Sequence, residues 1–148
     1  LLWKTVLAIG LLALVAAMLY VRLTPVDARA YAVDPETVKA PGFSGHVLLR
    51  PGGDIEPATY ALPPKTLAAR MEAIILATPR TERIAGALED GMATYVTRSA
   101  LWGFPDVATV KIVETEGGSA LRIFSRLRYG AMDMGVNRAR VEGWLSQL

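Results

Sequence analysis

Hydrophobic and polar positions follow three different patterns along this chain. The first is an unbroken apolar run. Residues 5–21, TVLAIGLLALVAAMLYV, contain no charge and no proline, and Lys4 and Arg22 bracket them. As a helix the run spans roughly 25 Å, slightly less than a hydrocarbon core. Leu1, Leu2, Trp3 and Leu23 lengthen it, and the flanking Lys and Arg stems can snorkel to the interface. Trp3 and Tyr20 stand near the two ends, where interfacial aromatics belong. The polar stripe of a helix that packs on a soluble core is missing. The pattern predicts a transmembrane anchor over residues 1–23. A cleaved signal peptide is the competing reading, because Val15-Ala16-Ala17 and Ala28-Arg29-Ala30 both offer small-x-small sites. The first site lies inside the apolar run and the second rather far beyond it.

The second pattern is irregular. Residues 24–63 carry Pro25, Pro35, Pro41, Pro51, Pro57 and Pro63, which excludes long helices and central strands. An extended segment leading from the anchor is predicted here. Within it, HVLLRPGGDIEP reads as a short edge strand followed by a turn at Pro51-Gly52-Gly53-Asp54.

The third pattern, over residues 64–148, switches between a period of 3.6 and a period of 2. In PPKTLAARMEAIILATP, Leu67, Met71, Ile74, Ile75 and Thr78 share a helical face; Pro64 suits the first turn and Pro79 ends the helix. Strands are predicted at 81–88, 92–101, 107–115 and 119–128. Asp90-Gly91, GFPD (103–106) and EGG (116–118) supply the turns. A last helix carries Val141, Trp144, Leu145 and Leu148 as its apolar stripe. The expected fold class is therefore α+β: an N-terminal transmembrane helix, then a two-layer domain with a four-stranded antiparallel sheet and two helices on one face. Alternation in the last two strands places Leu121, Ile123, Ser125 and Leu127 under the helices, with Ala108, Val110 and Ile112. It sends Arg122, Phe124, Arg126, Arg128, Thr109, Lys111 and Val113 to the other side, which is expected to be an exposed basic face.

Charge and composition narrow the chemistry. Lys4 and Arg22 account for the net charge of +2; beyond them 14 basic side chains balance 14 acidic ones. A neutral domain is a poor partner for bulk nucleic acid. There is no cysteine, so thiol chemistry and disulfides are excluded. His46 is the sole histidine, which rules out a histidine-rich metal site and leaves one general base in a proline-rich stretch. The glycine pairs are turns, because neither phosphate-loop nor dinucleotide spacing occurs. No metal site and no cofactor are expected.

The order of motifs ATPRTERIAG, TYVTRSALWGFPD and FSRLRYGAMDMGVNRARVEGWL resembles an uncharacterised bacterial domain-of-unknown-function family, number fourteen-ninety-nine. The likeness runs from about His46 to Leu148, and its most specific part is SR-x-R-x-G-x-x-D-x-G-x-N-R-x-R, from Ser125 to Arg140. Many members carry a second aspartate after the Pro-Asp pair, where Val107 follows Asp106 here. The resemblance implies a small secreted, lipoprotein or single-pass protein, and no activity.

Candidate sites follow from these patterns. Asp133 suits the N-cap of the last helix, accepting from the N–H of Gly135 or Val136. Asn137 falls on the apolar stripe and needs partners, for which loop carbonyls after the last strand are expected; Asp133 is expected to pair with Arg126 or Arg128. Arg98, Arg122, Arg126 and Arg138 are candidates for an anion-binding or docking site near the start of that helix. Gly10, Ala13 and Ala17 form a small-residue side suited to helix packing in lipid. The functional expectation is a non-enzymatic, single-pass accessory or assembly subunit of a larger membrane protein complex. It would sit in the bacterial inner membrane with its C-terminal domain in the periplasm, and its partners would be membrane lipid and an integral membrane protein complex. The alternatives are a binding module for an anionic small molecule or lipid head group on the basic sheet face, and a hydrolase using Ser125.

Overall fold

In the computed structural model, which describes residues 2–148, the opening run forms one helix, α1 (Leu2–Leu23). It has 22 residues and a mean hydropathy of 2.4 over its most apolar 18-residue window, enough to cross a membrane or to act as a signal sequence. None of its residues is buried, so nothing in the head domain shelters this apolar surface from its surroundings.

The head contains a short helical turn α2 (Ala28–Tyr31), strands β1 (His46–Leu49) and β2 (Thr59–Tyr60), helix α3 (Pro64–Ala77), strands β3 (Thr81–Ala87), β4 (Met92–Arg98), β5 (Pro105–Thr115) and β6 (Gly118–Leu127), and helix α4 (Val136–Leu145). The meander β3 to β6 falls within a few residues of its expected bounds. The sheet, however, has six strands rather than four. Its order is β1-β6-β5-β4-β3, and β2 pairs with β6 beside β1. His46 to Leu49 pair antiparallel with Arg126 to Ile123, so the proline-rich region supplies the missing edge. HVLL is the expected edge strand; its partner, β6, is set by the tertiary structure. The β3–β4 connection also differs from a two-residue hairpin: Leu88–Asp90 makes a 3-10 turn and Gly91 closes it at φ 108°, a conformation that suits glycine.

One core lies between the sheet and the helices. Leu67, Ala68, Met71 and Ile75 of α3 and Val141 and Trp144 of α4 pack on Val47, Leu49, Tyr95, Val110, Leu121 and Ile123. Trp144 donates its indole N–H to Thr78 at 2.8 Å, tying the end of α3 to α4. Both helical faces are as the periodicity predicts.

The opposite face of the sheet is the main departure. It is not exposed: Leu48, Val96, Val107 and Phe124 are each at most 2% accessible, and Arg126 only 7%. Residues 24–39 lie across it as a strap, so the domain has a third, irregular layer. The carbonyl of Tyr31 accepts from Thr109 Oγ1 and from Arg126 Nη2, both at 2.9 Å. Lys111 Nζ holds the Asp34 carboxylate at 2.7 Å and also donates to Glu36. Arg128 Nη1 donates to the Pro25 carbonyl. Arg50 reaches over the edge and donates to the carbonyls of Pro35, Glu36 and Val38 at 2.9–3.1 Å. The prolines that forbid a ladder strand explain why side chains, and not a seventh strand, meet these backbone groups.

Arg50→Ala should release the strap. Its loss is expected to cost about 1–2 kcal/mol in chemical denaturation and to raise trypsin cleavage after Arg29 and Lys39 several-fold. An unchanged digestion pattern would mean that the strap is held elsewhere.

Candidate functional site

The terminal motif folds into a closed polar knot. Asp133 lies two residues ahead of the helix cap, which is Gly135 in the left-handed region at φ 81°. From there its carboxylate does the capping work. Oδ1 accepts from the Gly135 N–H at 3.0 Å, and Oδ2 accepts from the backbone N–H and side-chain amide of Asn137 at 2.9 and 2.8 Å. Asn137 is fully buried. Its Oδ1 accepts from the Ser125 hydroxyl and, at 3.1 Å, from Arg140. Arg140 Nη2 also holds Asp106 at 2.8 Å. The partners of Asn137 are therefore side chains rather than the expected loop carbonyls, and Asp133 meets neither Arg126 nor Arg128.

Charge in the knot is balanced by position. Burial works to raise the Asp133 carboxyl, but hydrogen bonds from the Asn137 backbone, its amide and Gly135 outweigh it, and the group ends below its usual range. Asp106 moves the other way: burial holds it above the usual range, against the opposing pull of Arg140. Ser125 is fully buried, so its hydroxyl serves the knot and does not meet solvent. His46 uses Nδ1–H on the Phe43 carbonyl at 2.7 Å, with Nε2 3.9 Å from Asp54. Among the described residues no cluster of three metal-ligating side chains occurs.

The four candidate arginines are not gathered. Arg138 lies on the exposed side of α4, paired with Glu142 at 2.9 Å and donating to the Asp54 carbonyl. Arg122 sits 3.6 Å from Glu36 under the strap. Arg126 is stacked between the rings of Tyr31 and Phe124, at 4.9 and 4.3 Å, an arrangement that suits a weakly hydrated planar cation. Burial pushes its guanidinium down to about 10, and no carboxylate pairs with it among the described residues. Val107 stands directly across the strands from Arg126.

Arg98 has a different role. Its Nη1 donates to the carbonyls of Val21 and Gly103 and its Nη2 to that of Thr24, at 3.1–3.3 Å. Arg22, in the last turn of α1, returns the contact by donating to Ala100 and Leu101. Together they clamp the end of α1 to the loop after β4. Beside the clamp is an open cleft of about 510 Å³, lined by Arg22, Arg80, Arg98, Ser99 and Glu82 among others. Gly10, Ala13 and Ala17 all lie exposed on α1, and a Cβ at Gly10 would meet nothing within 4 Å.

Three participants were given no role by the sequence: Asp106, which reads only as part of the GFPD turn, Arg140 and Arg22. Arg140, not Arg138, is the inward arginine of α4. The signal was present, since Asn137, Arg140, Val141 and Trp144 follow i, i+3, i+4, i+7. Arg22 read only as the flank of an apolar run, and nothing local linked it to a loop nearly eighty residues away.

Fold and site together define an α+β domain with a strapped sheet, a polar knot at its C-terminal helix and an apolar N-terminal helix clamped to one end. The chain belongs to the family described as Protein of unknown function (DUF1499), whose model matches residues 27–148. No curated protein matches it significantly. Among solved structures it is similar to protein MLL2253 from Mesorhizobium loti, at 14% identity over 68% of this chain and 96% of that one, with a TM-score of 0.44. It is also similar to protein CV1439 from Chromobacterium violaceum, at 11% identity over 70% and 94%, with a TM-score of 0.45.

Removing Arg140 leaves Asp106 buried without its cation, so Arg140→Ala should cost about 3 kcal/mol. Arg138→Ala, at an exposed pair, should stay within about 0.5 kcal/mol in the same denaturation experiment. The knot also makes a pH prediction. Because the Asp133 pKa lies below its unfolded value of 3.8, its stabilisation is complete above that value and is lost as pH falls through the folded pKa. Asp106, with its pKa raised, has the opposite sign: its contribution is lost as pH rises from 3.8 through its folded value. Asp133→Asn should therefore be less stable than wild type at pH 7, with a gap that narrows on acidification. A gap constant with pH would show that the charge of Asp133 is irrelevant to the knot.

Proposed function

We propose that this protein is a membrane-anchored, non-enzymatic accessory subunit of a larger membrane complex, held by α1 in a bacterial inner membrane with the head on the periplasmic side. The observation that carries this reading is the clamp between α1 and the head. A flexible tether needs no such joint. Arg98 and Arg22 instead spend their guanidinium donors on backbone carbonyls across the junction, so the head has a set orientation relative to the helix. A set orientation matters when the head must meet a second surface held in the same membrane. The side of α1 bearing Gly10, Ala13 and Ala17 is free of contacts from the head, and small residues allow a neighbouring helix to approach closely. The knot is architectural, because its side chains serve one another.

Gly10→Leu with Ala13→Leu tests the reading. After extraction in mild detergent, the wild-type chain should carry a stoichiometric companion identified by mass spectrometry, and the double variant should lose most of it. Equal recovery of the companion would overturn the packing role. The intact mass of wild-type protein isolated from membranes should include α1; a product trimmed of residues 1–23 would instead make that helix a signal sequence.

A second reading, capture of an anionic lipid head group, is favoured by the cleft beside the clamp. Arg22, Arg80 and Arg98 line it, and none of the three pairs with a carboxylate among the described residues. Guanidinium groups suit phosphate. Native mass spectrometry of the full chain released from phosphatidylglycerol-containing nanodiscs should show bound anionic lipid, reduced several-fold by Arg80→Ala. Equal retention by the variant would remove this reading.

A further inference from the structure

The head's exposed large apolar side chains are concentrated at the end where α1 joins it. Leu101 is 70% accessible, Met132 71% and Met134 91%, with Phe104 and Tyr129 more than a third exposed. Apart from the neighbouring Val136, the only other such residue in the head is Leu76. Trp102 stacks on Phe104 at 6.1 Å, and Phe104 meets Tyr129 at the same distance. These rings and methionines line a shallow groove of about 490 Å³ between the loops 99–104 and 128–136. A concentrated patch of this kind on an otherwise polar head marks a contact surface.

The patch lies beside the last turn of α1. Arg22 donates to the carbonyls of Ala100 and Leu101, and a Cβ on Gly103 would fall 2.5 Å from Arg22 Cγ. Loop 99–104 is thus pressed against the helix at the level of Arg22. Tyr20 is about 3 Å further along the axis, where an interfacial aromatic is expected. The backbone adds a second observation. Met134 is held at φ 53°, a left-handed conformation that favours glycine or asparagine. The position nonetheless carries a long apolar side chain, turned into solvent.

We propose that loops 99–104 and 128–136 form a membrane-insertion surface. Leu101, Trp102, Phe104, Tyr129, Met132 and Met134 enter the boundary between head groups and acyl chains of the leaflet from which α1 emerges. The proposal rests on the reading of α1 as a membrane anchor. The occupant is lipid rather than a partner chain, because the patch is continuous with the end of the apolar helix and mixes aromatic with flexible aliphatic side chains. Arg22 and Arg128, the latter 5.1 Å from the Tyr129 ring, flank it with positive charge suited to anionic head groups. The head then lies against the bilayer and does not stand away from it.

The chain has no cysteine, so single nitroxide labels can be placed by Leu101→Cys, Met132→Cys, Met134→Cys, Val15→Cys and Glu89→Cys. Glu89 lies at the opposite end of β4 and serves as the aqueous reference. Each full-length variant is reconstituted into phosphatidylethanolamine–phosphatidylglycerol vesicles, and its accessibility to oxygen and to a water-soluble nickel chelate is measured by electron paramagnetic resonance. Positions 101, 132 and 134 should show an oxygen-to-nickel ratio several-fold above position 89, approaching position 15. If position 15 is lipid-exposed while the three loop positions match position 89, the insertion surface is overturned and the anchor stands. Loop labels shielded from both reagents would indicate a protein occupant and would equally overturn it. A water-exposed position 15 would remove the anchor, and the proposal with it.

Discussion

A segment that cannot join a ladder but lies on a sheet must still find partners for its backbone carbonyls. In this protein that constraint organises everything beyond the helix-side core. The prolines of residues 24–41 forbid a regular strand, so carbonyls from Val21 to Val38 are met instead by side chains rising from the sheet face and edge: Arg98, Arg128, Thr109, Arg126 and Arg50. Arginine suits the task because one planar head carries several donors on a long apolar stem, which also covers the sheet. The face that reads as basic is thereby the inside of a third layer. Its charge is answered partly by Asp34 and Glu36 and partly by aromatic rings.

The same device joins the apolar helix to the head. Arg98 is the last residue of β4, and its guanidinium reaches the end of α1 and the start of the strap together. The helix junction, the strap and the sheet are consequently tied together through one side chain. In the reading proposed for the protein, this is what converts a tether into a bracket. The apolar loops beside the junction then face wherever the helix leads.

The polar knot does comparable work at the C-terminal end. Five side chains, Asp106, Ser125, Asp133, Asn137 and Arg140, satisfy one another across two strands, a loop and a helix. A buried network of this kind is stabilising only when complete. Here each carboxylate, amide and hydroxyl has a partner, which accounts for an asparagine on an otherwise apolar helical stripe. The knot also anchors loop 128–135, leaving Met132 and Met134 outside it.

What the sequence determined by itself was whatever depends on periodicity: the length of α1, the faces of α3 and α4, and the strands of the meander. Asn137 was recognisable as a buried amide, and Asp133 as a helix-capping acid, because both signals are local. Only the tertiary structure decided that the arginines of β6 are buried, that β1 and β2 extend the sheet, and that Arg22 belongs to a joint. Alternation states which side of a strand a residue takes, but not what covers that side. Proline-rich chain has no period of its own, so its path is set by distant side chains, and those pairings leave no mark in neighbouring residues.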